Sequence, residues 1–213
     1  MPAISLQEEL NRCFALFDQG LLQEAEAGYL ACLKRIHAPC GAYYVSAMMG
    51  LAYVTSALGK HEKARHYAAE LLRLADNEEA RHIALHQMGM VERVAKDYDK
   101  AQQLFEQEKA LILTHFPDDT LKHAANSYEL AYIKLLQGIP GEALSMMKDT
   151  LENAQASGDA ICLGCAQRGM GEIYAVMGEA KKAMESFEKA RLAFLQGGDE
   201  RGAQEVAEMM GQG

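Results

Sequence analysis

Apolar residues return along this chain at i, i+3, i+4 and i+7. No stretch shows the period of two that a half-buried strand requires. Between residues 159 and 198, Ile161, Cys165, Met170, Ile173, Tyr174 and Met177 mark one helix. Beyond Gly178, the residues Ala183, Met184, Phe187, Ala190 and Phe194 mark a second. This two-helix unit recurs. A glycine is followed five positions later by alanine at Gly20 and Ala25, Gly59 and Ala64, Gly138 and Ala143, and Gly178 and Ala183. A fifth copy has Lys96 in the glycine place and Ala101 in the alanine place, and the alanines step by 39, 37, 42 and 40 residues. A regular step of this size is the mark of a repeat architecture.

Further columns share the frame. Twelve residues before each alanine stands a small residue: Cys13, Ala52, Gly89, Ala131 and Gly171. Four residues after it stand Tyr29, Ala68, Phe105, Met147 and Phe187, mostly large. Two antiparallel helices approach closely only where neither carries bulk, so the two small columns mark a crossing and the large one covers it. Gly59, Gly138 and Gly178 suit the left-handed residue that ends a helix. Pro140 suits a first helical position, where its missing N–H costs nothing, and Pro39 and Pro117 fall in the breaks between units. Asp159 and Asp199 are placed as N-caps. One domain, 1–213, is expected, with units at about 4–38, 39–76, 77–117, 118–158 and 159–198 and a capping helix at 199–211. That last helix should turn Ala203, Ala207 and Met210 inward, and Glu200, Arg201, Gln204, Glu205 and Glu208 to water.

The pattern resembles the tetratricopeptide repeat (TPR). Ala25, Ala64, Ala101, Ala143 and Ala183 match the family's alanine column, and Tyr29, Phe105 and Phe187 its aromatic column. Cys32 and Ala190 match a later small column, from which Leu71, Glu108 and Thr150 depart. The mean step of 39.5 residues exceeds the family's usual 34 and is similar to the long-helix variety of kinesin light chains and bacterial regulatory proteins. The resemblance implies an all-α fold, a right-handed α-α superhelix (solenoid) of five helix pairs plus a C-terminal capping helix. It also implies that a protein or peptide is bound on a concave face built from the first helix of each pair. Carried over by register, that face holds Leu10, Phe14, Phe17, Met49, Tyr53, Ser56, His86, Met90, Arg93, Tyr128, Tyr132, Leu135, Arg168 and Glu172. Aromatics and methionines suit an adaptable groove, and Arg93 and Arg168 could pair with an acidic group; the competing reading is that several simply pack against neighbouring helices. The Lys and Asn of the chaperone-tail-binding subset are absent, since Leu10 and Phe14 occupy those places.

Composition narrows the functional classes. The 213 residues carry a formal charge of −9, with 49% hydrophobic and 24% charged residues, which excludes a disordered chain. The acidic balance argues against nucleic acid, whose phosphates need clustered Lys and Arg. No apolar run approaches the ~18 residues of a membrane span, and the N-terminus lacks the basic and apolar regions of a leader. Five cysteines without framework spacing suggest reduced thiols, hence a cytoplasmic protein. His82 and His86 stand at i and i+4, a spacing that can hold a metal, but no third ligand is evident. The pair Cys162 and Cys165 lacks both the strand of a redox site and the second pair of a zinc site. No phosphate-binding loop and no nucleophile with its base is present, so no enzyme, metal or cofactor is expected. The expected role is a non-enzymatic protein- or peptide-binding scaffold. The alternative is a peptide-sensing regulatory module acting in trans on a signalling or transcription partner. The stripe Leu10, Phe14 and Phe17 offers a homodimer contact as another use of that surface.

Overall fold

The computed structural model describes residues 5–211; Ile4, where the first unit is expected to begin, lies outside them. Among the described residues there are eleven α-helices and no strand. They are α1 (Leu6–Asp18), α2 (Leu22–Arg35), α3 (Ala42–Ala57), α4 (His61–Leu74), α5 (Glu78–Val94), α6 (Tyr98–His115), α7 (Thr120–Leu136), α8 (Pro140–Ser157), α9 (Ala160–Val176), α10 (Ala180–Gln196) and α11 (Glu200–Gly211). Contacts gather the chain into two compact units that meet in sequence between Leu104 and Phe105, inside α6. In the first unit α1 to α5 pack in succession, and α3 also touches α1 and α5. In the second, α7 to α11 pack in succession and α7 touches α9. Packing between sequential neighbours is the scheme of a helical repeat stack.

The columns read from the sequence form the cores. Ala25, Ala64, Ala101, Ala143 and Ala183 are buried, and so are Cys13, Ala52, Gly89, Ala131 and Gly171. Tyr29, Phe105, Met147 and Phe187 are buried with them. A Cβ at Gly171 would overlap the Phe187 ring, and one at Gly50 the Tyr29 ring. Burying one such ring contributes roughly 1.5–3 kcal/mol. The positions that depart from the small column are buried as well, each by its own device. Leu71 joins an apolar cluster with Met48 and Ala84. Glu108 accepts a hydrogen bond from Asn126 Nδ2 at 2.9 Å, and the Thr150 hydroxyl donates to Ser127 Oγ at 2.9 Å.

The first helices end by one rule. Gly20, Gly59, Gly138 and Gly178 have left-handed backbone, and Lys96 takes the same turn with φ 64°. The amide after each closes onto the helix it leaves: Lys60 N to Thr55 O at 2.8 Å, Asp97 N to Glu92 O at 3.0 Å, Glu179 N to Tyr174 O at 2.9 Å. These are Schellman closures, which satisfy orphan carbonyls. Four of the five first helices start on side-chain caps, and α3 starts on Gly41 without one. Ser5, Asn77, Asp119 and Asp159 accept from the amides of Glu8, Ala80, Lys122 and Cys162. Asp199 caps α11 through Gly202 N at 2.8 Å, and Pro140 opens α8.

The inward face of α11 differs from the sequence reading. Gly202, Ala203 and Val206 are buried, Met210 is half-buried, and Ala207 is exposed. Glu205, expected in water, is half-buried. A Cβ at Gly202 would crowd Asp199 and the Phe194 ring, so the helix settles with its glycine against that ring. This orientation hands the core position to Val206, which has more apolar surface to bury than Ala207.

Candidate functional site

In the first unit, α1 and α3 set out an aromatic ladder. The Phe14 and Phe17 rings are 6.4 Å apart and Phe17 and Tyr53 are 6.1 Å apart, spacings of attractive tilted pairs. Gln87, itself buried, donates from Nε2 to the Tyr53 hydroxyl at 2.8 Å and fixes that ring. Phe17, Tyr53, Met90 and Val94 wall a recess of about 200 Å³. Arg93 Nη2 lies 3.3 Å from Met90 Sδ, and His86 stands 6.5 Å from His82, ring to ring. Met49 lines a different recess with Leu71 and Ile83. Leu10 and Ser56 are buried. Leu10 therefore belongs to the core with Cys13 and Tyr29, not to a surface stripe. Of the three residues offered for a homodimer, Phe14, at 53% exposure, is the one that stands open.

In the second unit the rows on α7 and α9 are linked. Tyr128 and Tyr132 stack with centroids 5.7 Å apart and planes 10° from parallel. Arg168 Nη2 donates to the Tyr128 hydroxyl at 3.3 Å, and its other nitrogens lie 3.7 Å from Glu172 Oε1 and 3.6 Å from Glu205 Oε2. Burial pushes the Tyr128 phenol up despite the opposing pull of Arg168. Burial also works against the charge of Arg168, but Tyr128, Cys165 and Glu172 outweigh it and the group is held above its ordinary value. The neutral hydroxyl and the fixed cation thus lock the tyrosine pair. The same contacts engage Arg168 with the protein's own oxygens, where the sequence reading had offered it to an acidic ligand.

Beside this row opens a groove of about 800 Å³. Tyr132, Leu135 and Leu136 of α7, Val176 of α9, Met184 of α10 and Met209 of α11 shape it, and Glu172 supplies the charged side chain in its wall. Leu136, Val176 and Met184 are exposed, Val176 by 64%. Met177 and Met184 match the apolar period yet stand open, and Met177 is the C-cap of α9 rather than part of its packed face.

The remaining candidates stay apart. Among the described residues no three His, Cys, Asp or Glu side chains come together to hold a metal. Burial raises the Cys162 thiol to about 12 and pushes Cys165 up as well, so neither offers a thiolate at neutral pH. Among the described residues no helix is long and apolar enough to cross a membrane.

The chain has the fold of tetratricopeptide-repeat proteins. It superposes on Bacillus thuringiensis PlcR, solved in complex with the peptide PapR7 and DNA, with a TM-score of 0.73 and 15% identity over 94% of this chain and 73% of that one. A thermophilic TPR protein of Thermus thermophilus matches with a TM-score of 0.66 and 17% identity over 96% of this chain and 98% of the other. The TPR-like repeats of a Podosopora anserina kinesin light chain match with a TM-score of 0.63 and 16% identity, covering 90% and 95%. No protein-family model and no curated protein matches the sequence.

Proposed function

We propose that this protein is a non-catalytic binding module for a protein segment or peptide. Its contact residues come from the first helices: Phe14, Tyr53, His86, Met90 and Arg93 in one unit, Tyr128, Tyr132 and Glu172 in the other, with Arg168 as the anchor. The observation that carries this reading is the groove beside Tyr132. Exposed apolar side chains surround a cavity of about 800 Å³, the size range of ligand-binding clefts. The stacked tyrosines are already fixed by Arg168, so a ligand finds them ordered and the entropic cost of binding falls. PlcR, which shares the fold, was solved with a peptide bound. The same likeness, together with that to a signal-transduction ATPase carrying a TPR sensor from Pyrococcus horikoshii, supports a second reading: a peptide sensor that acts on a separate partner.

Affinity capture from native extract, read by mass spectrometry, tests the proposal. Tyr128→Ala with Tyr132→Ala should abolish specific capture. Retrieval of the wild-type set by the double tyrosine variant would show that the surface has been misassigned.

A further inference from the structure

We propose that the groove of the second unit takes a basic amphipathic segment, placing apolar side chains between Val176 and Met184 and a Lys or Arg against Glu172. This rests on the binding-module reading and adds the chemistry of the partner. The argument is one of charge and shape together. Residues 105–213 carry ten Lys and Arg against seventeen Asp and Glu, a formal −7, whereas residues 1–104 carry eleven against thirteen, a formal −2. The acidic character of the chain is thus concentrated in the unit that holds the large groove. Within that groove the walls are apolar and the charged side chain is a carboxylate.

Arg168 does not reverse this field. Its guanidinium already faces the Tyr128 hydroxyl, Glu172 and Glu205. Glu129, buried, adds another carboxylate that acts on Tyr128. Arg201, bonded to Glu205 at 3.0 Å, is half-exposed and its charge is screened by solvent. A carboxylate can accept several hydrogen bonds, so Glu172 can keep Arg168 and still receive an incoming ammonium or guanidinium. An acidic segment would instead meet a negative unit and a cation already surrounded by acids, an arrangement that selects against it.

A phage-displayed library of random dodecapeptides, panned on the wild-type protein and counter-selected on the charge-neutral variant Val176→Asn with Met184→Gln, supplies the probe. Peptides that depend on the groove should combine two or more large apolar residues with a net positive charge. A synthetic copy of the best peptide should bind about fivefold to tenfold more weakly to Glu172→Gln, and more weakly to wild type as salt rises from 50 to 300 mM. The Glu172→Gln protein should melt with the wild type; should it not, the peptide charge and the salt dependence decide alone. Groove-dependent peptides that are neutral or acidic, or that bind without salt dependence, overturn the basic-partner inference and leave the binding module standing. No peptide separating wild type from the groove variant overturns both. A wild-type dimer that the groove variant loses assigns the groove to a second copy and overturns the inference.

Discussion

Lys96 is, among the described residues, the non-glycine with left-handed backbone. It occupies the turn that glycine fills in four other pairs, so the repeat imposes a conformation that its side chain resists. For an L-residue that conformation costs roughly 1–2 kcal/mol, and glycine gives back about 0.4–1 kcal/mol through its freer unfolded chain. Lys96→Gly should therefore raise stability by about 0.5–1 kcal/mol, measured as a higher urea midpoint with unchanged slope. Glu92 acts in the opposite sense. Its side chain is 4% exposed, Arg65 Nη2 donates to it at 2.7 Å, and Lys100 lies 2.5 Å away. Burial alone would raise its carboxyl, but the bonds from Arg65 and Lys100 win and hold it below the ordinary 4.5. The unfolded chain then takes up the proton more readily, so this contribution is complete above pH 4.5 and is lost as pH falls through the folded value. Glu92→Gln should cost about 1–3 kcal/mol at pH 7 and flatten the acid limb of a stability profile. A variant with the wild-type acid limb would deny Glu92 that role.

At the scale of the helix, α11 is the clearest test. Ala203 and Val206 close a cluster with Phe187 and Phe194 of α10. Removing residues 199–213 would open those rings to water, and terminal repeats need a polar outer face to stay soluble. The truncated chain should aggregate and melt earlier; one that stays monomeric with an unchanged Tm shows that α10 caps itself. The helices and their turns were legible in the sequence because helix crossing demands small residues at fixed intervals and the turn demands left-handed backbone. The tilt of α11 was not, because Ala207 and Val206 both fit the apolar period and the choice was made by Gly202 against Phe194. The site was half legible. Register placed Tyr53, Tyr128 and Arg168 on first helices. Gln87 was not singled out and Glu205 was read as facing water, because each acts on a residue one repeat away: Gln87 reaches back 34 positions to Tyr53. Repeat spacing was the signal that could have found them. Val176 had a signal of its own, since Ala175, Val176 and Met177 put more apolar residues at the end of α9 than its packed face uses.

For the whole molecule, the acidic excess and the packing order carry separate consequences. The charge of −9 favours solubility and, concentrated in one unit, would give association with the proposed basic partner an ionic-strength-dependent rate. The packing order bears on how the protein is made. Within each unit a helix finds its main partner in a helix next to it in sequence. A chain leaving the ribosome therefore does not wait for distant segments. Each hairpin can close once its second helix has emerged, and it serves as the template on which the next one docks. Within each unit the nascent chain then exposes one unfinished apolar edge at a time, and in the second unit that edge moves along with synthesis until α11 covers the one left by α10.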